Sequence, residues 1–303
     1  MEQLYITDVA LRDGLQNQQT HLGTAAKLEI MRLLIASGVQ SVEAASFVSP
    51  TRVPQMADAE ALMSRLKTEF PGLRASALVP NMKGLERACS AGVKEVAVVL
   101  SATDTMNQKN INMSLDTATH VSEQTLLAAK QSGLRTRAYI AVAFDCPFEG
   151  VTPLDTVVRL SGRMHDAGAD EIVIADTIGS TAPAQVKERL KAIAGFVPID
   201  RLAVHFHDTR AMGLANAWAA LEAGVRRFDA SVGGIGGCPF APGAAGNLAT
   251  EDLVLMVEQC GFSTGIDLAG LLTVIDFAQL QLNRPLGGCS INWLRQQHPL
   301  PRS

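Results

Sequence analysis

Short runs rich in β-branched residues recur roughly every 30 to 40 residues, each followed by a stretch of helical composition, and this alternation confines the chain to folds built on a parallel sheet. The predicted strands span 4–9, 41–45, 74–79, 95–100, 135–143, 171–175, 202–207 and 227–232. Between and after them lie predicted helices over 25–36, 56–68, 82–91, 116–132, 154–167, 184–194, 214–223 and 249–259. Gly38, Gly92, Gly133, Gly168 and Gly224 stand just past five of these helices, where a left-handed C-cap is wanted. Eight strand–helix units predict an α/β fold of the (β/α)8 or TIM-barrel type, with 267–283 as an additional helical piece. A doubly wound open sheet is the alternative. It is weakened because no Gly-x-Gly-x-x-Gly follows the first strand and the Gly-rich stretch 233–237 comes after the last.

The chain has 303 residues, a length that two domains or one barrel would fit. Its composition does not shift along the chain and no linker-like segment interrupts it, so one domain over 1–303 is expected, with the barrel over about 4–260 and a C-terminal helical extension over about 261–303. A net charge of −4, with no run of five basic residues, argues against a nucleic-acid partner. No apolar run approaches the roughly 18 residues of a membrane span, so no membrane partner is expected. Residues 1–5 run straight into a strand without a basic or apolar leader pattern, which predicts a cytoplasmic protein. Five scattered cysteines without a Cys-x-x-Cys argue against a disulfide framework or a structural zinc site. Cys89 and Cys260 fall inside helical patterns and read as packing.

In such a barrel chemistry sits at the carboxyl ends of the strands, so the polar residues there are the candidates. Strand 1 leads into Arg12-Asp13-Gly14-Leu15-Gln16, strand 2 carries Glu43, strand 5 carries Arg137 and Tyr139, strand 6 ends at Asp176-Thr177, and strand 7 ends at His205-Phe206-His207-Asp208. His205 and His207 are two apart and project to one face of a strand, which points to a divalent metal. Asp13 is within reach from strand 1. Two imidazoles and a carboxylate with positions open to substrate suit Mg2+ or Mn2+ better than structural zinc. The alternative is that both histidines make buried hydrogen bonds. After strand 8, residues 233–247 hold six glycines and two prolines, the composition of a mobile loop over the mouth, and Cys238 within it has access to substrate.

These motifs, together with Ser46-Phe47-Val48-Ser49-Pro50, Lys109-Asn110-Ile111-Asn112, Cys146-Pro147-Phe148-Glu149-Gly150, Gly236-Gly237-Cys238-Pro239 and Gly246-Asn247-Leu248-Ala249-Thr250-Glu251-Asp252, resemble the 3-hydroxy-3-methylglutaryl-CoA lyase family of the metal-dependent Claisen-type barrels. The likeness runs from about Thr7 to Arg284. It implies metal ligands at Asp13, His205, His207 and Asn247, a catalytic arginine at Arg12 and a lid cysteine at Cys238. Glu43, Asp176, Arg137 and Tyr139 fall on family active-site positions, Gln16 belongs to the same motif as Arg12, and Asn110 and Asn283 match positions that contact the CoA portion. The implied reaction is a retro-Claisen cleavage of an acyl-CoA substrate to acetyl-CoA and a keto acid, as in leucine catabolism, by a homodimer. The proton acceptor for the substrate hydroxyl is left open among His205, Asp13 and Asp176.

The chain departs from the family pattern at Leu11, Gln18, Phe144-Asp145, Arg210-Ala211-Met212 and Pro285. Arg210 suits either a surface salt bridge or an anionic part of the substrate. Cleavage of citramalyl-CoA or of a longer branched 3-substituted glutaryl-CoA is therefore the second reading. A Claisen condensing enzyme and a non-catalytic barrel stand further off, because the cysteine loop and the full ligand set are present.

Overall fold

The computed structural model describes residues 1–237 and 246–298; Cys238 lies outside the described residues. Eight strands form a closed, all-parallel barrel: β1 (Tyr5–Asp8), β2 (Ser41–Ser46), β3 (Arg74–Leu78), β4 (Glu95–Ser101), β5 (Arg135–Ala141), β6 (Glu171–Asp176), β7 (Leu202–Phe206) and β8 (Arg227–Ala230). They pair in chain order, and β8 returns to β1 with Phe228 opposite Ile6. The strands are covered on both faces, and all six residues of β6 are buried.

The surrounding helices are α1 (Thr24–Ala36), α2 (Ala59–Glu69), α3 (Met82–Ser90), α4 (Asp104–Ile111), α5 (Leu115–Gln131), α6 (Leu154–Asp166), α7 (Pro183–Ile193), α8 (Gly213–Glu222) and α9 (Thr250–Gln259). Their ends follow local chemistry. Asn81 and Ser114 cap α3 and α5 by accepting the Gly84 and Thr117 amides, and Pro183 opens α7. The five glycines expected as C-caps all have positive φ, between 73° and 98°. The extension is α10 (Leu268–Leu282), which packs on α1, followed by α11 (Ile291–Gln297).

Several details depart from the sequence reading. β5 stops at Ala141 because Val142 adopts φ 47°, a conformation costly for a β-branched residue; the Thr177 hydroxyl accepts its amide at 2.7 Å and the Thr152 hydroxyl donates to its carbonyl at 2.7 Å. β8 stops at Ala230, and the Val232 amide goes to the Asp8 carboxylate instead of a strand partner. Helix α4 was not expected, nor were the hairpin of Asp145–Cys146 with Gly150–Val151 and the parallel ribbon of Glu2–Gln3 with Phe262–Ser263. Cys89 and Cys260 are exposed, so the packing reading of both is wrong: each sits on the solvent side of its helix or at its end. No helix among the described residues is long and apolar enough to cross a membrane.

Candidate active site

The chain leaves β1 through a single π-helical turn, Ala10–Gly14, rather than an ordinary loop. The buried Asp8 carboxylate anchors it, accepting the Ala10 amide on one oxygen and the Val232 amide and Thr250 hydroxyl on the other. Gly14 is required here by close approach, since a Cβ would lie 2.9 Å from the Ile235 carbonyl oxygen. The wide turn presents two consecutive side chains, Arg12 and Asp13, to the barrel axis. Arg12 bonds Glu43 on β2 through Nε at 2.5 Å and Asp13 through Nη1 at 2.6 Å. Burial pulls the Arg12 guanidinium down, but Glu43 and Asp13 outweigh it and hold the group charged, above its ordinary value.

β7 carries His205, and His207 follows at its end. Across from them, residues 246–249 return as an extended segment: the Asp208 amide bonds Gly246 at 3.1 Å, the Leu248 amide bonds Phe206 at 3.0 Å, and Asn247 bridges His207. Gly246 permits this path, because a Cβ would meet the Gly234 carbonyl at 1.9 Å. Ligand atoms of Asp13, His205 and His207 come within 4.8 Å of one another, close enough to share one metal ion. Asn247 joins them, its Nδ2 donating to Asp13 Oδ2 at 3.0 Å and to the Ile235 carbonyl at 3.1 Å. Its Oδ1 and the Nδ1 of His207 are buried without a hydrogen-bond partner. Buried lone pairs left unmatched beside a carboxylate and a second imidazole fit a divalent cation, and a purely hydrogen-bonded histidine pair would not leave them.

The electrostatics agree with that reading. Burial, then the charge of His205, pushes His207 down to about 4, so at neutral pH the ring is uncharged and one nitrogen has a free lone pair. Burial pushes the Asp13 carboxyl up, yet Arg12 and the two imidazoles hold it ionised at about 2. Burial lowers His205 too, but a hydrogen bond from Nδ1 to Asp229 at 3.3 Å and the charge of Asp13 reverse the direction and raise it. Asp229 stands on β8, buried, and also accepts from Arg137 at 2.7 Å and the Tyr139 hydroxyl at 2.6 Å. This carboxylate behind a histidine fixes the tautomer and leaves Nε2 for the site.

Among the expected residues, Arg12, Asp13, Gln16, Asn110, Tyr139, His205 and His207 line one cavity of about 500 Å³ at the carboxyl end of the barrel. Glu43 lies behind Arg12, wholly buried, and burial raises its pKa against the pull of Arg12. Asp176 is turned to its own loop, accepting the Ser180 and Thr181 amides at 3.0 and 3.1 Å. The rim placement of Arg137 is corrected: it sits low in β5, opposite Glu171 at the start of β6, and bonds Glu171 at 2.7 Å as well as Asp229. Asn283 is the exposed left-handed C-cap of α10 and is not on the cavity wall. Arg210 makes no salt bridge among the described residues; it donates to the Ser180 carbonyl at 3.2 Å. Cys238 follows Gly237, which lines the cavity and accepts from Asn17 Nδ2 at 3.1 Å.

Sequence reasoning missed Asp8 and Asp229. The signal for Asp229 was a lone charge inside the apolar strand pattern Phe228-Asp229-Ala230, a position that buries it in the barrel. Glu251 and Asp252, present in the sequence as part of a motif, are clamps. Glu251 accepts the Gly288 amide at 2.7 Å and the Gly233 amide at 3.0 Å, and Asp252 accepts the Cys289 and Ser290 amides at 2.7 and 2.9 Å. They tie the loop after β8 to the extension.

Hydroxymethylglutaryl-CoA lyase of Bacillus subtilis is 41% identical over 281 residues, 93% of this chain and 94% of that protein. The mitochondrial hydroxymethylglutaryl-CoA lyase of Bos taurus is 42% identical over 283 residues, 93% of this chain and 87% of that one. Among solved structures, an HMG-CoA lyase from Acinetobacter baumannii in complex with coenzyme A and 3-methylmalate superposes with a TM-score of 0.92 at 36% identity, covering 99% of this chain and 98% of that chain. The profile of the HMGL-like family matches residues 3–277, and with the barrel and its Asp–His–His site this establishes that the chain belongs to the HMGL-like family.

Proposed function

We propose that the protein is a divalent-metal-dependent carbon–carbon lyase that cleaves 3-hydroxy-3-methylglutaryl-CoA to acetyl-CoA and acetoacetate. The observation that carries this is the set Asp13, His205 and His207 with the unmatched Asn247 Oδ1, at a cavity that Arg12 also lines. The four residues would hold Mg2+ or Mn2+, which supplies Lewis acidity toward a substrate hydroxyl and an adjacent oxygen. Asp13 and His205 face the cavity as acceptors for the hydroxyl proton, whereas Asp176 has both oxygens committed to amides. Arg12 is held rigid by Glu43 and Asp13, so its fixed positive charge meets the oxyanion of the departing enolate without reorganisation. Tyr139 packs beside His205 at 6.1 Å between ring centroids and shapes the floor. Cys238, one residue beyond the cavity-lining Gly237, supplies the proton to the enolate carbon. Gln16 and Asn110 on the wall serve substrate, Asn110 on the CoA side.

The test is release of acetyl-CoA and acetoacetate by protein stripped of metal and then reloaded with Mg2+ or Mn2+. Metal-dependent cleavage of 3-hydroxy-3-methylglutaryl-CoA in preference to citramalyl-CoA and a longer branched glutaryl-CoA is expected; preference for either analogue replaces the substrate and keeps the chemistry. Cys238→Ala should lose turnover by about 10²- to 10⁴-fold while retaining metal, and near-normal turnover would remove the cysteine from the reaction. A homodimer and a cytoplasmic location belong to the same reading on family likeness, and light scattering checks the first.

A further inference from the structure

The other end of the barrel holds a second cavity, of about 740 Å³. A parallel barrel is ordinarily plugged at its amino-terminal face, and charges there read as structural ion pairs. A structural network is charge-matched and uses its donors. Here Arg74, Arg135, Arg137 and Arg227 line the wall and meet three carboxylates, Glu171 on the wall with Glu95 and Asp229 behind it. Glu95, behind the wall, takes Arg74 in a two-pronged pair at 2.6 and 2.7 Å. Arg137 spends one donor of each nitrogen on Glu171, Tyr139 and Asp229.

The remaining two guanidinium groups are under-used. Arg135 has a side chain 61% exposed, lies 3.6 Å from Glu95 and donates no hydrogen bond among the described residues. Arg227 donates Nε to the Asp200 carbonyl at 3.1 Å, stacks over Tyr5 at 4.9 Å, and lies 3.6 Å from Glu171, beyond hydrogen-bond reach. Arginine forks of this kind match carboxylate and phosphate oxygens. The rest of the wall mixes apolar Ile6, Phe70, Leu73 and Phe228 with polar Gln3, Thr7, Gln40, Ser41 and Thr264. From the excess of guanidinium donors over acceptors, the volume and the apolar residues in the wall, we infer that the amino-terminal mouth of the barrel is a binding site for a small organic oxyanion, its charged head on Arg135 and Arg227 and its apolar body against Phe70 and Leu73. The volume is that of a small-molecule pocket. This site stands apart from the lyase reading, and the two fail independently.

Calorimetric titration with phenyl phosphate, inorganic phosphate and benzyl alcohol at low ionic strength tests it. Saturable binding of phenyl phosphate, tighter than inorganic phosphate and absent for benzyl alcohol, is expected. The double variant Arg135→Ala/Arg227→Ala should weaken it about tenfold or more, while Arg52→Ala, at the opposite cavity, leaves it unchanged. Lysine at both positions, which keeps the charge and the fold but loses the fork, should fall between the two. No saturable binding, equal affinity for inorganic phosphate or benzyl alcohol, or loss in Arg52→Ala with retention in the double variant would each overturn the assignment.

Discussion

At the scale of single residues, the site is built from pairs in which one group sets the state of the next. Arg12 keeps Asp13 ionised, and Asp229 orients His205. Asp229→Asn keeps one oxygen, able to serve either Arg137 or the shared side of His205 and Tyr139, and removes the charge, so metal affinity should fall about 10- to 100-fold; calorimetry with Mn2+ checks this, and unchanged affinity would detach Asp229 from the site. Arg12→Gln should lower kcat by about 10²- to 10³-fold with far less change in metal binding, measured by steady-state kinetics beside metal analysis. Asp13, His205 and His207 were legible as candidate ligands because His-x-His on a strand turns both imidazoles to one face, whereas Asn247 entered only through resemblance: an amide carries no spacing rule that marks it as a ligand. Arg137 misled because a strand's polar residues alternate faces but say nothing of depth. Its place at the foot of β5 is set by the register with Glu171.

At the scale of elements, the carboxyl-end loops are held by acids that accept backbone amides. Asp8 grips the β1 turn, Asp176 the turn after β6, and Glu251 the loop after β8 together with the extension. Burial raises Glu251 from 4.5 to about 7. Between those values the folded protein holds a proton that the unfolded chain has lost, so the stability Glu251 contributes is full below 4.5 and is lost as pH rises through 7. The unfolding midpoint of the wild type should therefore fall relative to Glu251→Gln between about pH 5 and pH 8; parallel profiles would show that the carboxyl is ionised throughout. Strand and helix positions were readable because periodicity and glycine caps act locally. Helix α4 was not, since its sequence is polar on most sides and only Met106 and Asn107 are buried.

At the scale of the whole molecule, the alternation of eight units sufficed for the barrel because parallel strands buried on both faces admit few closures. The second cavity was not legible. Its arginines come from β3, β5 and β8, and only closure gathers them at one mouth. Removal of residues 1–3 should lower the unfolding midpoint by a few degrees, by loss of the ribbon with Phe262–Ser263 and of the Glu2–Arg226 pair at 2.7 Å; thermal unfolding of the truncated chain measures it. An unchanged midpoint would make the ribbon an ornament of the folded state.

That ribbon also has a bearing on how the molecule is made. β1 leaves the ribosome before the other seven strands of the barrel, yet one of its neighbours is β8 and the residues just before it pair with Phe262–Ser263. For most of translation the opening strand has one edge unsatisfied, waiting on segments more than two hundred residues downstream. Shutting the cylinder is thus a late event, and the nascent chain must keep that edge from pairing elsewhere until its partner has been synthesised.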